Sequence, residues 1–267
     1  MSPPPDPSSS KARALEVARR LHALDGGPEL RRKACARELS RLHPTDATQL
    51  ISELISLSRG GSEVARCVLA GFVSALGMEA RELPHARGLR RLAELQDLAE
   101  VSHLFTEAPP QKALDPNAAA RRDARLFTQS LGYLKTQARL AKDPDQLARL
   151  AAASNGEIVR ELLRNPRLTE PWVVRIAARR PASPQTLLEL WKNPRWFARH
   201  AVKRALVLNP YLPPEVGAKI VPLLSQTDWR ELAGDGAVHP SLREQAKRLL
   251  EGPRPAVPEL PPGEPVH

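Results

Sequence analysis

NPRLTEP occupies residues 165–171, and NPYLPPE occupies residues 209–215, 44 positions further on. Each sets an Asn-Pro-x-Leu phrase between two apolar runs. The residue before a proline is driven out of α geometry, so Asn165 and Asn209 are predicted to stop a helix. An asparagine there also bonds to its own main chain and tolerates unusual backbone angles. Pro166 and Pro210 cannot continue the hydrogen-bond ladder. Leu168 and Leu212 can then drop into a core between helices. Thr169 is placed to cap the next helix, and Pro214 suits a first helical turn, where a missing N–H costs little. The phrase reads as a corner between helices rather than as a chemical motif.

From Asp143 onward such punctuation is regular. Pro144, Pro166, Pro184, Pro194, Pro210 and Pro240 each stand ahead of a short apolar run. The runs are predicted as helices over 146–153, 157–164, 172–179, 185–191, 196–208, 215–224, 228–233 and 242–250. Self-similarity with a unit of about 40 residues is the signature of a helical solenoid of two- or three-helix repeats. Upstream, apolar periodicity predicts helices over 12–24, 29–42, 46–57, 62–76 and about 89–104. Gly60 and Gly61 end one of these and Ser62 caps the next. The three prolines of 106–120 predict a linker or loop, and a long helix is expected over about 121–142. The domain reading is a disordered tail (1–10), an N-terminal helical region (11–105), the linker (106–120), a helical repeat domain (121–251) and a disordered Pro-rich tail (252–267).

Composition fits this picture. The 267 residues are 42% hydrophobic but only 4% aromatic, so Leu and Ala must build the core. Both are strong helix formers, and strand-type alternation is nearly absent. The expected fold is all-α: a right-handed α-solenoid of short helices, preceded by an N-terminal bundle or divergent repeats. The formal charge is +10 and the pI about 10.2. That balance points to an acidic partner, protein or nucleic acid. The same excess of Arg over Lys also follows from GC-rich codon usage. Cys35 and Cys67 lie in apolar helical patterns and are expected to be reduced core residues of a cytoplasmic protein. The start, MSPPPDPSSS, has no apolar leader region, and the longest apolar stretch is too short to span a bilayer.

NPRLTEPWVVRIA and NPYLPPEVGAKIV resemble the Asn-Pro-x-Leu-Pro-x-x-x-Leu phrase of leucine-rich-repeat-variant proteins, and more loosely HEAT and armadillo repeats. The resemblance covers about 143–250. It implies a solenoid that alternates α and 3₁₀ helices, and it implies no activity. Some variant-repeat proteins are linked to an iron–sulfur cluster. Residues 143–250 hold no cysteine to ligate one, so no cofactor is carried over.

The candidate site lies between the two Asn-Pro phrases. Over 156–204 the sequence has eleven Arg and Lys against four Glu. On a wheel drawn for residues 196–208, Ala198, Ala201, Val202 and Ala205 share one face. Trp196, Arg199, His200, Lys203 and Arg204 share the other. Trp and Arg are the residues enriched in interface hot spots, so these five, with Arg160 and Arg164, are the candidate partner-binding set. The competing expectations are that Trp196 packs on a neighbouring repeat and that the charges are solvated, with Glu157 and Glu161 beside Arg160 and Arg164 in helical pairs. Trp172, Trp191 and Trp229 are expected in the core. No His-x₃-His pair, nucleophile motif or carboxylate pair in an apolar pocket stands out, so neither a metal nor a catalytic residue is assigned. The leading reading is a non-catalytic scaffold for an acidic protein partner. The alternative is a solenoid that contacts nucleic-acid phosphates, with Trp196 stacking on a base. A remote third reading rests on resemblance to HEAT-like alkylpurine DNA glycosylases, which use Trp and Asp on a concave surface. Asp228–Trp229 is the one adjacent pair of that kind, and it stands at a helix start, where Asp is routine.

Overall fold

The computed structural model describes residues 7–79, 83, 86–126 and 128–252. Among these every regular element is helical and none is a strand. The N-terminal region comprises α1 (Pro7–His22), α2 (Gly27–Arg41), α3 (Pro44–Arg59), α4 (Glu63–Met78), α5 (Ala86–Leu95) and α6 (Ala99–Ser102), closed by a 3₁₀ turn (His103–Phe105). The apolar α4 is the hub: α1, α2 and α3 all pack against it, and Val68, Leu69, Phe72 and Val73 are fully buried. Gly71 lets α2 approach α4 closely, because a Cβ there would sit 2.7 Å from the Cys35 Sγ. Ser62 caps α4 by accepting from the Ala65 amide, and Gly61 takes the left-handed conformation (φ 91°) that ends α3.

Next come α7 (Pro116–Leu126), α8 (Leu131–Leu140), α9 (Pro144–Ala151), α10 (Gly156–Leu162), α11 (Glu170–Ala178), α12 (Pro184–Lys192) and α13 (Pro194–Phe197). They are followed by α14 (His200–Val207), α15 (Pro214–Ile220) with a 3₁₀ turn (Val221–Leu223), α16 (Gln226–Gly234) and α17 (Pro240–Glu251). α8, α10 and α12 pack in series, as do α9, α11 and α14. Prolines occupy the first turn of α9, α12, α13, α15 and α17, where their lack of an N–H is harmless.

Both Asn-Pro corners do more than turn the chain. Asn165 Oδ1 accepts from the Arg167 amide, and its Nδ2 donates to the carbonyls of Ala138 and Ala141 at 2.9 and 3.0 Å. Asn209 repeats the arrangement: Oδ1 accepts from the Tyr211 amide, and Nδ2 donates to Ala177 and Arg179 at 2.7 and 2.9 Å. Each asparagine thus satisfies the orphan carbonyls at the end of an earlier helix, 24 and 27 residues back for Asn165 and 30 and 32 for Asn209. Leu168 and Leu212 are buried below the two corners. Thr169 stands at the N-cap of α11, but its hydroxyl makes no capping bond.

Several expected boundaries move. α1 begins at Pro7, inside the segment read as a tail, because proline is tolerated at a helix start. The helix expected over 89–104 is broken at Asp97, which adopts φ 53° while the Leu98 amide reaches the Ala93 carbonyl. The long helix expected over 121–142 is two helices, since Ser130 is extended and caps α8. α7 starts at Pro116, within the expected linker, and both Asp123 carboxylate oxygens accept from the Ser154 amide. The Lys112 amide ties the preceding loop to the Pro210 carbonyl. The N-terminal helices also meet the last ones. α15 packs on α4, the 221–223 turn packs on α3 and α4, and α17 packs on α6. The expected tails beyond these helices, 1–6 and 253–267, lie outside the described residues.

Candidate functional site

The run 196–208, expected as one helix, is two. Arg199 has extended backbone angles (φ −77°, ψ 129°) and serves as the N-cap of α14. The helical wheel drawn through the whole run therefore does not apply. Trp196 belongs to α13 and is 2% exposed. Its indole N–H donates to the Leu163 carbonyl at 2.9 Å, and the Arg195 guanidinium lies over its ring. The wheel's placement of Trp196 on a basic face is thus corrected, and the indole packs on a neighbouring helix, as the competing expectation had it. The broken backbone turns the ring inward onto the end of α10. Lys203 is corrected with it, being 8% exposed. Burial pushes its ammonium pKa below the usual lysine value.

The remaining candidates are exposed but engaged, and they fall into two groups. Arg160 grips Glu189 through two bonds, at 2.7 and 2.8 Å, across α10 and α12. The Arg160 guanidinium in turn holds the Glu189 carboxyl below the ordinary carboxylate range. Lys135 pairs with Glu157 and Arg164 with Glu161, each at 2.8 Å, while Lys192 flanks Glu189. This row joins α8, α10 and α12.

The second group surrounds α14. Arg199 lies 3.8 Å from Glu170, His200 Nε2 lies 2.9 Å from Asp228, and Arg204 bridges Asp228 and Glu231. Burial alone would raise the Asp228 pKa. The Ser225 hydroxyl and amide, then His200 and Arg204, hold it below the usual value instead. Asp228 and Ser225 form a capping box at the start of α16. Trp229 is buried, with its indole N–H on the Val221 carbonyl. The serine donates to the aspartate rather than to a histidine, so the cluster holds a helix start and presents no activated nucleophile. No ion pair among the described residues joins the two groups. In both, nearly every cation faces a carboxylate.

A different basic surface lies on α2. Leu30, Lys33, Ala34, Arg37 and Arg41 recur with helical spacing along one side. Leu30 is 44% exposed, and Lys33, Arg37 and Arg41 are exposed. Lys33 sits 3.5 Å from Glu29. Among the described residues Arg37 and Arg41 have no ion-pair partner. Shallow grooves run on both sides of the row. One is floored by Leu21, Leu24, Leu30 and Ala34, the other by Ala36 and Leu83. The row is legible in RRKACARELSR as i, i+4, i+8 cations. Its cations are denser than those between the Asn-Pro phrases, five in the fifteen residues of α2 against eleven in the forty-nine of 156–204, but density alone does not say which of them are paired. What distinguishes it from Arg160, Arg164, Arg199 and Arg204 is that Arg37 and Arg41 pair with no carboxylate among the described residues, which only the packed structure displays.

No group of three or more metal-ligating side chains lies together among the described residues. No described helix is long and apolar enough to cross a membrane. Comparison with protein-family models, with curated proteins and with solved structures finds no match.

Proposed function

We propose that this chain is a non-catalytic α-solenoid scaffold of the variant-repeat or HEAT type, and that it binds an acidic protein partner through a basic surface. The serial packing of short helices and the duplicate bonding of Asn165 and Asn209 support the repeat reading. The observation that carries the partner reading is the α2 row, where Arg37 and Arg41 stay exposed without carboxylate partners among the described residues. Arg160, Arg164, Arg199, His200 and Arg204 are locally paired, and all but Arg164, whose partner Glu161 lies only three residues back, serve cohesion between helices. The row from Lys33 to Arg41 is about 12 Å long at the α-helical rise. That length matches acidic side chains one and two turns apart on a partner helix. The apolar groove beside it favours protein over nucleic acid, because Leu21, Leu24 and Leu30 offer nothing to phosphates but would seat a partner's aliphatic side chains.

Fluorescence anisotropy with the full chain separates these readings. The two probes are an acidic amphipathic Leu/Glu helical peptide and a random-sequence DNA duplex, each titrated at low and physiological salt. The expected result is tighter binding of the peptide at physiological salt. Binding should weaken at least about tenfold in R37E/R41E and hold in R199E. Tighter binding of the duplex with a steep salt dependence would replace this reading by the nucleic-acid one. Equal peptide binding by wild type and R37E/R41E would remove the α2 surface from the proposal.

A further inference from the structure

The His-Pro-Ser of residues 239–241 repeats the His-Pro-Thr of residues 43–45, and each heads a helix. Ser, Thr, Asp and Asn are the preferred N-caps. A histidine replaces them only through an unprotonated ring nitrogen. At α17 it does so. The Ser241 amide donates to His239 Nδ1 at 3.2 Å, and Ser241 Oγ lies 2.7 Å from the same nitrogen. The amide bond makes Nδ1 the acceptor, so the capping ring is neutral with its proton on Nε2.

The surroundings of this half-buried ring all weigh against charging it. Protonation turns Nδ1 into a donor and forfeits the amide bond, although Ser241 Oγ can turn to accept. The imidazolium would stand at the positive end of the α17 dipole. α17 has no acid in its first turn, and Arg243 follows one turn on. No neighbouring carboxylate offsets this. On α16, Asp228 and Glu231 pair with Arg204, and Asp235 accepts from the Ala237 amide. Glu215 of α15 pairs with Lys219, and Glu244 with Arg248. Glu100 of α6 lies by the far end of the helix, with Leu249 and Gly252. Burial first, then Arg243, holds the His239 pKa below the ordinary histidine value. The start of α3 differs in charge: His43 is exposed, and Asp46 stands in the first turn.

α17 is also the helix that ties the two regions together. It packs on α6 from the N-terminal region and on α15 from the later helices. Leu242, Ala246 and Leu249 are buried, and Gln245 Nε2 donates to the Ala218 carbonyl at 2.9 Å. Leu242 stands three residues past the cap, so a frayed first turn lifts it first.

We infer that the His239 cap is an acid-sensitive latch, whose protonation frees the first turn of α17 and loosens its seat on α15 and α6. An unfolded histidine titrates near pH 6.5, and the folded ring below that. Between the two values the open helix binds more protons than the seated one, so the latch holds above about pH 6.5 and weakens as pH falls through the folded value. Amide hydrogen exchange of the full chain at about pH 7.5 and about pH 5, either side of the histidine range, tests this. Protection factors are corrected for intrinsic rates, and α17 is read against α4, which holds no histidine. Protection in the first two turns of α17 should fall at least about fivefold relative to α4 on going to acid. H239N keeps a side-chain acceptor that does not titrate, and it should abolish that relative fall. An equal fall in H239N would place the acid response elsewhere and overturn the inference. So would a wild-type α17 that keeps pace with α4, or a His239 ring that titrates by NMR at or above the ordinary value.

Discussion

The side-chain amide of Asn209 donates to the carbonyl of Ala177 at 2.7 Å, from 32 residues further along the chain. The same amide reaches Arg179, and Oδ1 holds the local turn through Tyr211. Asn209→Asp separates these jobs, since a carboxylate keeps the turn acceptor and loses both donors. It also places negative charge beside two carbonyl oxygens in a site 2% exposed. The expected loss is about 2–4 kcal/mol in urea unfolding near neutral pH. Partial recovery is expected under acid conditions, where the protonated carboxyl donates once more. Wild-type stability in this variant would show that only the local turn matters.

The Asn-Pro corners mark the boundary between what sequence could and could not reveal. Helix stops, buried Leu168 and Leu212, and Pro214 in a first turn all follow from local chemistry and were legible. The bonds to Ala138 and Ala177 are non-local, and nothing in the phrase says which helix end lies beneath it. Trp196 failed for a related reason. Periodicity assumes an unbroken helix, and extended Arg199 resets the phase with no proline or glycine to announce it. The ion pairs of Arg160 and Arg204 cross between helices, so counting charges along the chain could not show that they are neutralised. The α2 row needs only one helix, which is why its spacing was readable.

Trp196 is expected to act on stability. Trp196→Phe keeps most of the apolar volume and removes the bond to Leu163. A cost of about 1–2 kcal/mol follows from leaving that carbonyl unpaired. Trp196→Ala adds a cavity and should cost about 3–5 kcal/mol. Peptide affinity of the folded fraction should not change in Trp196→Phe. An affinity loss with unchanged unfolding would restore the indole to a binding role.

Gly77 and Gly132 should respond to alanine with opposite signs. Alanine is ordinarily favoured over glycine inside a helix by about 1 kcal/mol. Gly132, near the start of α8, has open space where a Cβ would stand, so Gly132→Ala should stabilise by up to that amount. At Gly77 a Cβ would overlap the Trp191 ring, which lies between α4 and α12. Gly77→Ala should therefore destabilise by about 1–3 kcal/mol through overpacking. Thermal unfolding of the two variants checks the difference. A stabilised Gly77→Ala would mean that α12 is not seated on α4.

Lys203 provides a pH test with a definite sign. Its folded-state pKa lies below the unfolded value because burial disfavours the ammonium. The pull of Glu63 and Cys67 opposes this, and Arg66 adds to it. Between the two pKa values the unfolded chain binds more protons than the folded one, so stability rises with pH through that window. The window closes near pH 10.4, the ordinary lysine value. Below the folded pKa the buried charge weighs fully against folding. Lys203→Met keeps the aliphatic stem and removes the charge. It should stabilise the protein by about 1 kcal/mol near neutral pH, with the gain shrinking as pH approaches 10. Urea unfolding at pH 7 and pH 10 measures both values. A gain that does not shrink with pH would assign the effect to packing, and a loss at pH 7 would show that the ammonium has a stabilising partner.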